Sequence, residues 1–195
     1  MLQHLITQDQ GLRMVPTDRD QLTTAVTSLR EELQALPTGT APNHARILAR
    51  WTGIGLMVLG DHHGARTALQ RALDLATADG NTRAAVAIEL NLADAHRYAG
   101  EPETAHGYYR RALAGAQSRH PELVDYALQH YAKHLIEEGD LTEAHVHLRE
   151  ALQLRLVKGD AELIASTQAA LDRVELLIGP DGRRCDIPGT KAEGI

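Results

Sequence analysis

The stretch GEPETAHGYYRRAL at residues 100–113 has two relatives in the same chain, GDHHGARTALQRAL at 60–73 and GDLTEAHVHLREAL at 139–152. Aligned on their first glycines, the copies lie 40 and 39 residues apart, and Gly179 falls 40 beyond the third. A period in this range marks stacked supersecondary units. Each of the four glycines ends a 17-residue segment, 44–60, 84–100, 123–139 and 163–179, which reads as the first helix (helix A) of a unit. Glycine reaches the left-handed conformation that closes a helix, and Asp61, Glu101-Pro102 and Asp140 open the next one at once. Asp140 and Glu143 also have capping-box spacing.

The second helix (helix B) carries Ala65, Leu69, Ala72 and Leu73, repeated as Ala105, Tyr109, Ala112 and Leu113 and again as Ala144, Leu148, Ala151 and Leu152. Spacings of four, seven and eight put each set on one helical face. Its alanines let helix B approach helix A closely, with Gly53, Ala93 and Ala132 as the matching small positions. Helix pairs that each need a neighbour stack into a solenoid.

Composition agrees. The 195 residues are 43% hydrophobic, enough for one domain with a sizeable core. There is no Phe and one Trp, so that core is built from Leu, Ala, Ile and Val. Sustained strand alternation and an Asn-Gly hairpin turn are both missing, and the chain reads as all-α. Twenty Lys and Arg against 26 Asp and Glu give a net charge of -6, the wrong sign for binding nucleic acid. The longest strongly apolar run, residues 54–59, is far below membrane-spanning length, and no basic region precedes an apolar one at the N-terminus. A protein with no membrane partner that is not exported is expected, and the single Cys185 fits a cytoplasmic location.

Together, the small residue in helix A, Gly seven later, Ala five after that, an aromatic or Leu four on and a closing Ala-Leu resemble the tetratricopeptide repeat. The longer period resembles the variant in kinesin light chains and in some bacterial regulators. The resemblance implies a right-handed superhelical solenoid over residues 44–179, with repeats near 44–83, 84–122 and 123–162 and a capping helix at 163–179, where Asp172 replaces the small residue. Ahead of it, residues 17–43 read as a capping helix and loop, with Leu22, Ala25, Val26, Leu29, Leu33 and Leu36 on one stripe. Residues 1–16, interrupted by Gly11 and Pro16, carry no clear assignment, and 180–195 are expected to be a mobile tail.

In that family helix A lines a concave surface that receives a segment of another protein. Carried over by position, the lining is Ile47, Arg50, Trp51, Ile54, Met57 and Val58 from the first unit. The second unit gives Ala87, Leu90, Asn91, Asp94, Arg97 and Tyr98, and the third Tyr126, Gln129, His130, Lys133, Ile136 and Glu137. The resemblance implies that the Asn91 amide grips a partner's backbone; the bland alternative is a solvated helix residue. Trp51 beside Arg50 reads either as an interface anchor or as packing beneath the N-terminal helix. Some members hold a carboxyl terminus in a five-residue clamp. Here Asn91, Arg50 and His130 match, but Ile54 and Tyr126 replace an Asn and a Lys, so a chaperone co-factor is not expected while another carboxylate-bearing peptide stays open.

The leading reading is a scaffold that binds a protein or peptide, in a regulatory or signalling role, with no cofactor. Self-association as a homo-oligomer is the second. An enzyme or metal protein is the third, resting on His130 and His134 at i, i+4 spacing with His145 beyond the turn. No HExxH or Glu-x-x-His motif appears in the region of these histidines, and no GxSxG or phosphate-loop motif appears in the chain.

Overall fold

The computed structural model describes residues 2–37 and 42–178. Cys185, Gly179, the 180–195 tail and part of the loop before the first repeat lie outside the described residues. Eight α-helices are present among the described residues: α1 Arg19–Ala35, α2 Pro42–Leu59, α3 His62–Ala78, α4 Thr82–Tyr98, α5 Pro102–Arg119, α6 Val124–Glu138, α7 Leu141–Lys158 and α8 Ala161–Ile178. Each packs on its chain neighbours, giving an all-α solenoid of antiparallel pairs.

The close A-to-B approach is visible at Gly53. A Cβ there would sit 2.5 Å from Leu69 Cγ and 3.1 Å from the Ala65 carbonyl, so α2 meets α3 only because the position is bare. Ala93 and Ala132, at the same register, are fully buried. Asp172, also in register, is exposed and accepts from Gln168 Nε2 at 2.8 Å. No described helix B follows α8 to demand a small side chain there.

The turn glycines Gly60, Gly100 and Gly139 have φ of 89°, 74° and 82°. Gly80 and Gly159, unremarked in the sequence, close α3 and α7 in the same conformation, so the punctuation recurs about every half-repeat. Asp61, Asn81 and Asp140 accept from the amides of Gly64, Ala84 and Glu143 and cap α3, α4 and α7.

Residues 2–16 depart from the helical pattern. Strands β1 Ile6–Gln8 and β2 Met14–Pro16 pair antiparallel, Ile6 opposite Pro16. Neither strand has more than three residues, too short to leave an alternation signal. At the connection Leu12 has a φ of 64°, a left-handed backbone that costs a branched side chain energy, yet its side chain is buried.

Candidate binding groove

Hairpin β1–β2 lies across the helix A side of the solenoid, where the groove residues were predicted. Leu12 joins the buried cluster of Leu90, Tyr109 and Leu128, while Leu2 and Leu5 join that of Leu22, Val26 and Met57. The Met14 amide donates to Tyr98 Oη at 2.5 Å, and Arg13 donates to both Glu137 carboxylate oxygens, at 2.8 and 2.6 Å. The Arg13 and Arg97 guanidiniums lie 5.0 and 4.9 Å from the Tyr98 ring centre. A backbone amide, a bidentate ion pair and an apolar plug thus hold the turn and second strand of this hairpin on the predicted lining.

The first-unit zone is apolar. Ile54, Met57 and Val58 are buried, and half-buried Trp51 packs against the cluster containing Leu2 and Leu5. Arg50 reaches into the second unit, where its Nε donates to Asn91 Oδ1 at 2.7 Å. Burial, with Arg83 and Arg46 nearby, lowers the Arg50 pKa. Asn91 is itself buried, so the amide singled out from the register has its oxygen engaged within the chain.

In the second unit Leu90 is buried and Asp94 is completely so. Asp94 Oδ1 accepts from Tyr109 Oη at 2.6 Å and from Arg97 at 3.1 Å, and His130 Nδ1 donates to Oδ2 at 2.7 Å. Burial pushes the Asp94 carboxyl up, but His130, Arg97 and Tyr109 outweigh it and hold the group well below its ordinary value. Burial and then the Asp94 charge raise the Tyr109 phenol well above its usual range. Arg97 also donates to Glu137 at 2.7 Å, so the carboxylate that binds Arg13 is anchored from both sides.

The third unit is polar in its interior. Arg155, 2% exposed, donates from Nε to Asp125 at 2.8 Å and from Nη1 to Thr167 at 2.7 Å, to the Leu163 carbonyl at 3.2 Å and to Gln129. Lys158 also binds Asp125, and the Arg155 guanidinium carbon stands 5.1 Å from the Tyr126 ring centre. Gln129 Nε2 donates to Ser166 at 3.0 Å. Lys133 is buried, and burial lowers its pKa to about 8, with Arg97 and Arg155 adding to the effect and Asp94 opposing it. Gln129, His130, Lys133, Asp94, Arg97, Tyr98 and Tyr126 line one cavity of about 160 Å³, with Leu12 and Met14 of the hairpin over it.

Sequence reasoning missed Tyr109, Asp125, Arg155 and the hairpin as parts of this site. Two of them carried a signal: Arg155 stands in the repeat register where Ala76 and Ala116 stand, and Tyr109 where Leu69 and Leu148 do. A large polar group at a position that is otherwise Ala or Leu needs a buried partner. The hairpin carried none, since its residues belong to no repeat.

The three histidines weighed as metal ligands turn to different neighbours. His130 binds Asp94, His145 Nε2 lies 3.4 Å from Glu175, and His134 is 1% exposed among the rings of Tyr109, Tyr131 and His106. Among the described residues no three His, Cys, Asp or Glu side chains are grouped to hold a metal ion. Nor is any described helix long and apolar enough to cross a membrane.

Residues 42–118 match the family model of the tetratricopeptide repeat, so the resemblance drawn from the sequence holds over that span. Among solved structures the chain is similar to BtubC (BKLC) from P. vanneervenii. The match has 19% identity and a TM-score of 0.58, covering 90% of this chain and 80% of the other. That likeness concerns the fold. No curated protein matches the chain. Tetratricopeptide repeats are in general scaffolds for protein interaction.

Proposed function

We propose that this protein is a cytoplasmic interaction scaffold whose concave face takes a peptide-like segment of a protein partner, and that residues 2–16 hold the face until that segment replaces them. One observation carries the reading. Positions assigned from the repeat register contact the turn and second strand of the hairpin through Tyr98 on a backbone amide, Glu137 on an arginine and Leu90 beside a leucine plug. A competing segment would need the same chemistry: a basic residue for Glu137, a neighbouring amide for Tyr98 and an apolar side chain in place of Leu12. Occupancy in cis suits a regulatory or signalling adaptor, since the partner must compete with a tethered segment for its site.

The test compares the intact chain with one lacking residues 2–16, using a labelled synthetic peptide of residues 2–16. The peptide is expected to bind the shortened chain and not the intact one, and to displace any partner captured by the shortened chain. A folded shortened chain that ignores the peptide overturns the reading.

A second reading, self-association, draws on Val146, Leu156, Val157 and Leu176, which are 57%, 51%, 89% and 63% exposed on α7 and α8. It requires the mass in solution to rise with concentration and Val157→Glu to abolish that rise.

A further inference from the structure

We infer that the cavity beneath the hairpin is a binding site for a small organic acid, whose carboxylate pairs with Lys133 Nζ and whose short apolar part lies against Leu12 and Met14. The central observation is an imbalance of charge. Lys133 is 6% exposed and lines the cavity, yet among the described residues its ammonium has neither a hydrogen bond nor an ion pair. The carboxylates around it are committed elsewhere: both oxygens of Asp94 to Tyr109, Arg97 and His130, both oxygens of Glu137 to Arg13 and Arg97, and those of Asp125 to Arg155 and Lys158. Lys133 feels the charge of Asp94, opposed by Arg97 and Arg155, but no described carboxylate pairs with its ammonium directly, so an anion in the cavity would supply the close counter-charge.

Polar and apolar groups in the wall complete the fit. Ser166 accepts from Gln129 and keeps its own proton to donate. Arg155, although paired, adds positive potential at the same wall, whereas Leu12 and Met14 offer carbon. A volume of about 160 Å³ has room for on the order of ten water-sized groups, which suits a short acid rather than a drug-sized ligand. With its pKa near 8, Lys133 remains mostly protonated at neutral pH. The site differs from a clamp for a peptide terminus built on Arg50, Asn91 and His130, because Arg50 and Asn91 bond each other outside this cavity. Because Leu12 and Met14 form part of its wall, the site exists only while the hairpin is in place.

The full-length chain is titrated with butyrate and benzoate at constant ionic strength, against chloride, and the lysine side-chain nitrogen signals are followed by NMR beside the Tm. A saturable shift of one lysine signal and a rise in Tm are expected with at least one acid. Lys133→Met is expected to weaken binding about tenfold or more while the chain stays folded. Lys133→Arg, which keeps the charge, is expected to retain measurable binding. A third arm uses a blocked peptide, acetyl-Gly-Glu-Gly-amide, since a carboxylate can also come from a partner's side chain. Preference for butyrate or benzoate assigns the site to free acids; preference for the peptide overturns that assignment and gives the carboxylate to a partner segment. Absence of saturable binding to the wild type, or equal binding by Lys133→Met, overturns the site itself.

Discussion

The first and third repeats share a backbone and differ in what fills it. At one register the first repeat has Ile54 and the third Lys133, with Asp94 between them; at another, Ala76 and Ala116 give way to Arg155. The first repeat is held chiefly by apolar contact, and at Gly53 the approach of Leu69 leaves no room for a Cβ. The third is held by a buried network in which Arg155, Asp125, Gln129 and Thr167 satisfy one another. A solenoid tolerates both because each unit answers mainly to its neighbours. What the repeat demands is small residues where helices touch; other positions are free to carry chemistry.

The sharpest way to break this contrast is Asp125→Ala, which leaves a buried guanidinium without its carboxylate and is expected to cost about 3–5 kcal/mol in urea unfolding. The double change Asp125→Val with Arg155→Met, making the third repeat apolar like the first, is expected to recover most of that loss. If the double variant is as unstable as the single one, the network has a structural role beyond mutual neutralisation.

Next in size is Tyr109→Phe, which removes the hydroxyl donated to Asp94 and returns that site toward the Leu of the other repeats. A loss of about 1.5–3 kcal/mol is expected, read by the same unfolding titration. Gly53→Ala probes the apolar repeat. The added methyl meets Leu69, and a net loss of about 1–3 kcal/mol is expected despite alanine's better helix propensity. An Ala variant as stable as the wild type would mean that α2 and α3 separate freely.

The pH dependence separates the polar half from the apolar one. Burial, helped by Arg97 and His106, lowers the His134 pKa to about 4, below that of an unfolded histidine. The unfolded chain then binds the extra proton more readily, so stability falls as pH drops from about 6.5 toward 4. His134→Phe is expected to flatten this window. Asp94, held below its ordinary value, contributes in the same direction but lower, its stabilisation disappearing as pH falls beneath the unfolded carboxyl range. The smallest effect is expected for Arg13→Ala, a partly exposed pair whose loss costs at most about 1 kcal/mol in global stability. Proteolysis within residues 2–16 should nonetheless accelerate.

Legibility in the sequence followed the same division. Helix boundaries, turn glycines and small contact positions could be read because three copies vary together in phase. The proposed lining was assigned by position, without its pairings, since Arg50 with Asn91 and Asp94 with His130 join residues 41 and 36 apart in different units. Arg155 was visible as a departure from the Ala register without its four partners.

The sequence by itself determined a stack of helix pairs, because periodic small and apolar residues dictate which faces must meet. Tertiary structure alone decided that the polar residues at the proposed lining positions are largely paired with one another, that residues 2–16 lie across them, and that Lys133 has no direct ion pair among the described residues. Those outcomes depend on distances between residues remote in the chain, and a short hairpin outside the repeat leaves no periodic trace of where it will dock.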